Sequence, residues 1–415
     1  MNFFNEIKSL FFINESKKTL IEEKISSFKI EYDIKNIQVQ DKDSLINLVS
    51  KIPESDSFIL YIKFGENPPV SLNSEENNIE KFIEELNKEI SYLEDEDVNL
   101  KFEISKNFFH NSRHIYHFES FCKFWENTPS LSILKLLNKD LKLSNSISFI
   151  FLEENLDHFY TSNLFFGYQI KDSITEDYKC LHVKENCHFG NFEEYPFSPN
   201  CFDLQKEPSH ENEITRKVNQ FKLLFSISGI YDITSITDNK LYYKINGYRT
   251  FEGNLNIDEI DSSSADNYIQ IFKWIYSSEG NISDKIGLAR NILTIYLKEE
   301  SIAIPPECYS SIQSGYKTYL QKNVSKYIEI RNKINDELSW ISAKSSEVVD
   351  KYLGNYQKSI FTFLSFFISV FILRVLQSGK FTDVFTKDST ILSLSFLGIS
   401  IAFLVFSIWN LNKGN

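Results

Sequence analysis

Residues 391–409 read ILSLSFLGISIAFLVFSIW, 19 positions without a charge. A helix needs roughly 20 mostly apolar residues to cross the hydrocarbon core of a bilayer, about 30 Å thick. Core helices of soluble proteins seldom run this far without a charged face. Upstream, residues 360–376 read IFTFLSFFISVFILRVL, apolar apart from Thr362, Ser365, Ser369 and Arg374. This run is at the short limit for a crossing, and Arg374 lies near enough to its end for a long stem to reach the interface. The joint, residues 377–390, carries Gly379, Lys380, Asp383, Lys387 and Asp388. The pattern predicts a C-terminal two-helix transmembrane hairpin over 359–411, with both flanking soluble ends on one side.

Just upstream the pattern changes. Leu320, Val324, Tyr327, Arg331, Ile334, Leu338, Ile341, Ser345, Val348 and Tyr352 follow one another in alternating steps of four and three. That spacing is a heptad seam and predicts a long, coiled-coil-like helical stalk over 316–358. Arg331 and Ser345 are polar breaks, which can fix register at a cost in stability. No proline follows Pro306, so the stalk is expected to run on into the first crossing, with Gly354 its one weak point. Forty-three residues make about 65 Å of helix. The seam suits self-association, and equally packing against the chain's own soluble region. On the second crossing Ser395, Gly398 and Ala402 share a face. Small residues of this kind let membrane helices approach closely.

Residues 1–359 are soluble in character. The whole chain is 42% hydrophobic and 24% charged, with a formal net charge of −13. At about 100–200 residues per domain, two or three domains fit ahead of the membrane segment. Short amphipathic helices are expected over residues 1–28, first on Phe4, Ile7 and Phe11, then on Leu20, Ile21, Ile25 and Phe28. Alternation predicts strands at Ser57–Phe64 and Val98–Ile104, and Ile147–Leu152 reads as a buried strand. Residues 77–95 carry a helical stripe. Residues 155–210 are irregular. Next comes a helix with Ile214, Val218, Phe221 and Phe225 on one face, capped at Ser209. Leu241–Phe251 reads as a β-hairpin turning at Asn246-Gly247 in a type I′ turn. Helices at Asp266–Tyr276 and Asp284–Lys298 precede the break at Pro305-Pro306. The expected fold is an α+β cytoplasmic region, then the stalk, then the hairpin. It divides into an N-terminal α/β or α+β domain (1–210), a middle helix/β-hairpin/helix region (211–315), the stalk (316–358) and the hairpin (359–411).

The residues that carry chemistry are few. All seven histidines lie between His110 and His210. His110, His114 and His117 would share a face on a helix, but Phe108–Ser112 reads as a loop or strand end. Cys180, His182, Cys187 and His188 are enough ligands for a tetrahedral zinc site. Their spacing fits no finger pattern, however, and Tyr178–Val183 alternates like an ordinary strand. No metal and no cofactor is assigned. There is no G-x-x-x-x-G-K-[ST] phosphate loop, no G-x-G-x-x-G, no G-x-S-x-G elbow and no H-E-x-x-H. The reading leans away from an enzyme. The 37 Phe and 21 Tyr are read as core and cross-strand packing.

In the opening MNFFNEIKSLFFINESKK, Glu6 and Lys8 interrupt the apolar run and no small-residue cleavage site follows, so it does not read as a signal peptide. Five cysteines, an odd number in a long chain, fit reduced thiols. Both features place the soluble region in the cytoplasm. Charge bias points the other way, with Arg374, Lys380 and Lys387 at the joint against Lys351, Lys358 and Lys413 on the flanks. The missing export signal outweighs it, because a large domain needs one to cross. The acidic balance argues against a nucleic-acid surface and against broad docking on anionic lipid, which leaves the anchoring to the hairpin. Arginine occurs only six times against abundant lysine, asparagine, isoleucine and phenylalanine, as in chains from bacteria with AT-rich genomes.

This layout resembles that of membrane effectors of bacterial anti-phage and abortive-infection systems. The resemblance implies a cytosolic region that senses infection and an inner-membrane segment that acts on the bilayer. It is one of layout across the whole chain and carries no residue roles. The expected partners are the lipid bilayer, further copies of the chain and an operon-encoded protein. Two other readings stand beside it: a scaffold that tethers a partner at the membrane, and a membrane-bound enzyme with unrecognised motifs.

Overall fold

The structure is a computed structural model of the 415-residue chain. It describes residues 3–13, 18–35, 37–38, 42–76, 78–92, 97–170, 177–298, 301–379 and 387–413. Two compact units are present, Met1–Tyr316 and Lys317–Asn415.

The first unit is α+β. It opens with helix α1 (Phe3–Leu10) and a hairpin of β1 (Lys18–Glu23) and β2 (Ser27–Ile34). Helix α2 (Lys42–Ser50), β3 (Ser57–Phe64), β4 (Val70–Asn73), α3 (Ile79–Ser91) and β5 (Val98–Ser105) follow. The strands form one antiparallel sheet in the order β1-β2-β5-β3-β4. Period-two alternation puts Phe28, Ile30, Tyr32 and Ile34 on the same face as Phe58, Leu60, Ile62 and Phe64 and as Val98, Leu100, Phe102 and Ile104. Phe3 and Ile7 of α1, Leu45 and Leu48 of α2, and Phe82 and Leu86 of α3 join them in one core.

A second core begins beyond β5. Here β6 (Ser112–Ile115), α4 (Phe118–Asn127), α5 (Ser130–Ser144), β7 (Ile147–Phe151), β8 (Phe159–Tyr160) and β9 (Leu164–Gly167) give a mixed sheet ordered β6-β7-β9-β8. Then come α6 (Leu181–Asn186), β10 (His188–Phe189), α7 (Glu213–Ser228), β11 (Ile233–Thr237), β12 (Lys240–Asn246) and β13 (Thr250–Asn256), with the third sheet ordered β10-β11-β12-β13. Helices α8 (Ala265–Ile275) and α9 (Ile282–Tyr296) finish this part. Ile133, Leu137, Phe149 and Phe202 share a single core with Phe221, Phe225, Ile245, Phe272 and Leu293. Residues 211–315 therefore have no core apart from residues 115–204.

Helix α10 (Glu307–Ser378) starts directly after Pro305-Pro306 and continues through Gly354 for 72 residues. It carries the apolar run 360–376 and is long and apolar enough to cross a membrane. Helix α11 (Lys387–Lys413) carries the run 391–409. Residues 380–386 of the predicted joint lie outside the described residues.

Several local expectations are corrected. Residues 18–34 are a β-hairpin, not a second helix. Leu20, Ile21 and Ile25 have helical spacing, but Phe28, Ile30, Tyr32 and Ile34 alternate, and pairing with β5 settles the outcome. Helix α7 is capped at Asn212, not Ser209. Asn212 and Thr215 form a reciprocal capping box nearer the first turn. Residues 178–183 are no strand, since Leu181 opens α6 and only Lys179 makes an isolated bridge, to Phe197. The β12–β13 hairpin is present, but Asn246 pairs with Thr250 and leaves a three-residue connection in place of a type I′ turn. Gly247 serves another purpose there. A Cβ at this position would collide with Arg290 O and Thr294 Oγ1 of α9. Arg249 holds the same turn down by donating to Thr294 O at 2.8 Å.

Candidate functional site

The residues singled out in the stalk lie on one stripe of α10. At 100° per residue, Leu320, Val324, Tyr327, Ile334, Leu338, Ile341, Val348 and Tyr352 stay within about a third of the circumference. The stalk's ion pairs, Glu329–Lys333 (3.3 Å), Lys344–Glu347 (3.1 Å) and Glu347–Lys351 (2.6 Å), lie on the opposite side. Arg331 is the charged residue on the stripe itself. No described side chain from Lys317 onward is buried, and Leu338 is 60% exposed. A soluble monomer normally hides such a row.

Past Lys358 the apolar character extends all round the helix. Phe361 is 73% exposed, and Leu364, Phe367, Ile368, Ile372 and Leu373 are exposed as well. Two hydroxyls in this stretch turn back onto their own helix. Thr362 Oγ1 donates to Lys358 O (2.8 Å) and Ser369 Oγ to Ser365 O (2.8 Å), and on α11 Ser395 Oγ donates to Ile391 O (2.9 Å). Each donor is thus satisfied without water, as an apolar solvent requires. Gly398 has no atom within 4 Å of its absent side chain, and Ala402 is exposed beside it. This face is open to a close neighbour.

The Cys/His set is dispersed. Cys180 and Cys187 flank opposite ends of α6. Cys187 Sγ donates to Gly229 O (3.2 Å) and lies 3.8 Å from Tyr276 Oη. Burial pushes both thiols up, Cys180 to about 11, so neither is a ready thiolate ligand. His182 and His188 are exposed. Among the described residues no group of three or more His, Cys, Asp or Glu is placed to hold a metal ion. His110, His114 and His117 do not share a face. His110 sits in a turn at φ +44°, His114 contacts Asp56 Oδ2 (3.2 Å) from β6, and His117 caps α4.

What sequence reasoning missed is the set of buried charges. Lys106 and Glu23 form a fully buried ion pair. Burial raises the Glu23 carboxyl to about 7 against the pull of Lys106, whose own pKa burial lowers. Nearby, Arg113 grips Asp140 through Nε (2.5 Å) and Nη2 (2.8 Å). On α7, Lys217 Nζ donates to Asp258 Oδ1 (2.8 Å) and Ser130 Oγ (2.9 Å), while Ser130 Oγ donates to that same carboxylate oxygen (2.6 Å). Burial raises Asp258, but bonds from Lys217, Ser130 and Asn239 outweigh it and hold its carboxyl below the ordinary value. The Asp258 carboxylate thus accepts from both the lysine and the serine, and the cluster ties α5, α7 and the segment after β13 together. A lysine next to apolar helix positions looks the same in sequence whether solvated or buried.

No known protein family, curated protein or solved structure matches this chain.

Proposed function

We propose that this chain is a non-enzymatic membrane sensor/effector that self-associates along its stalk and acts at the cytoplasmic membrane in defence against phage. In this reading residues 360–376 cross the bilayer, 391–409 return, and the α+β unit faces the cytoplasm, where it meets its trigger, for instance an operon-encoded protein. The observation that carries the proposal is the unbroken run of α10 from an uncovered heptad seam into an uncovered apolar span. A helix built this way passes a change in association to the bilayer without a hinge. The layout's resemblance to anti-phage membrane effectors supplies the biological context.

The test asks whether the hairpin matters beyond hydrophobicity. Leucine is as apolar as a membrane helix demands but fills the Gly398/Ala402 face. A Gly398→Leu/Ala402→Leu variant should insert normally yet lose phage protection, or the growth arrest and depolarisation that the active protein causes. A chimera carrying an unrelated two-helix anchor should fail in the same way. Full function in the chimera would leave a tethered scaffold as the better account.

A further inference from the structure

Among the described residues, strand β13 is the open edge of its sheet. The order β10-β11-β12-β13 puts it outermost, and its side chains alternate between exposed and half-buried along its length. Three bonds fix which way its backbone faces. Asp232 N donates to Lys244 O (3.1 Å), Asn246 N donates to Asp232 Oδ2 (2.7 Å), and Ile257 N donates to Asn239 O (3.0 Å). Even-numbered β12 residues therefore turn their backbone groups toward β11, and odd-numbered ones toward β13. In the register Leu241↔Leu255, Tyr243↔Gly253 and Ile245↔Phe251, the odd residues of β13 close that ladder. Thr250, Glu252 and Asn254 turn N–H and C=O outward, as Asn256 does its N–H, while the Asn256 C=O opens the short helical turn Ile257–Glu259; among the described residues the outward groups have no partner. Native sheets shield such edges with lysine, proline or a covering segment. The strand TFEGNLN contains neither lysine nor proline.

We propose that β13 pairs antiparallel with β13 of a second copy of this chain, about a two-fold axis at Gly253. The strand is self-complementary about that point. Centred there, Thr250 meets Asn256, Phe251 meets Leu255 and Glu252 meets Asn254, so all seven residues overlap. The single charge faces a neutral amide that can donate to it. The apolar pair falls on the core side, where Phe251 and Leu255 already pack, and the polar pairs fall on the solvent side. Centring on Glu252 would set two carboxylates opposite each other, and centring on Asn254 would shorten the overlap. Gly253 suits the axis. It would form a non-hydrogen-bonded pair, with Cα atoms only about 4.5 Å apart. Its missing Cβ also leaves room for Tyr243, whose Oη would lie 2.7 Å from such an atom. The contact joins two four-stranded sheets into one and gives the first unit its own route to association, independent of the stalk.

Disulfide trapping on the full-length protein in its membrane tests this. Glu252 and Asn254 would be hydrogen-bonded mates with Cα atoms about 5.5 Å apart, within disulfide range. A Glu252→Cys/Asn254→Cys variant should give a covalent dimer of this chain under mild oxidation, well above the background of the five native cysteines. Asn256 sits at φ −71° with its N–H outward, so proline fits there without breaking the β12 ladder. Adding Asn256→Pro should cut the dimer yield severalfold. An absent dimer, a cross-link to a different protein, or a yield that Asn256→Pro leaves unchanged would each overturn the proposal. The stalk does not enter this readout, because only the strand cysteines are trapped.

Discussion

The two units solve opposite problems with the same amino acids. In Met1–Tyr316 most of the described aromatic and aliphatic side chains are packed away, and even Lys106, Lys217, Lys222 and Lys285 are buried against partners. In Lys317–Asn415 no described side chain is buried, although Leu338, Ile341, Phe361, Leu373 and Phe406 are as apolar as anything in the cores. The first unit supplies its own interior. The second leaves its apolar residues exposed, in two patterns. In the stalk the heptad positions form one exposed apolar stripe, and over 360–376 exposed apolar residues run all round the helix. Local substitutions should therefore cost stability in the first unit and change association or partition in the second.

The largest stability loss is expected at the buried ion pair. Lys106→Met leaves the Glu23 carboxylate buried without its cation and should destabilise the first unit by about 3–5 kcal/mol in denaturant unfolding. Glu23→Gln together with Lys106→Met should recover much of that. An exposed-pair cost, under about 1 kcal/mol, would contradict the burial described. Gly247→Ala should cost about 1–3 kcal/mol, because its methyl meets backbone and side chain of α9. Wild-type melting temperature would argue that the turn stands clear of that helix.

The Glu23 pair also gives a pH signature. Its folded carboxyl titrates near 7 against an ordinary 4.5. The folded state thus holds the proton more tightly, and this group's contribution is full below about 4.5 and is lost as pH rises through about 7. The stability difference between wild type and Glu23→Gln should change across that window. A pH-independent difference would mean that Glu23 is not held in the dry setting described. The smallest effect on folding is expected in the stalk. Leu338→Asp should leave unfolding of the first unit within about 0.5 kcal/mol of wild type, yet lower the oligomer mass in detergent. A wild-type monomer, or an unchanged mass, would mean that the seam has no self-partner.

How much could be read beforehand differs between the units for the same physical reason. The second unit's helices rest on local periodicity, so α10 and the apolar runs 360–376 and 391–409 were legible residue by residue. In the first unit, β3, β5, β7, α3, α8 and α9 were legible, because alternation or a helical stripe was strong enough alone. The β1–β2 hairpin was not, since Ile21, Ile25 and Phe28 fit a helix and only the partner strand β5 decides otherwise. The three-residue β12–β13 turn was hidden because α9 imposes it from 45 residues away. The pairing of Lys106 with Glu23 spans 83 positions and leaves no local trace. The outward set of β13 backbone groups needed the ladder's register, which no single strand encodes.

The claim that the second unit is built for a bilayer is tested most directly by membrane fractionation with a carbonate wash, comparing the full-length chain with one ending at Lys358. The account predicts that the full-length protein stays in the washed membrane pellet and needs detergent for release, while the shortened chain is recovered in the soluble fraction. Full-length protein in the soluble fraction without detergent would contradict it.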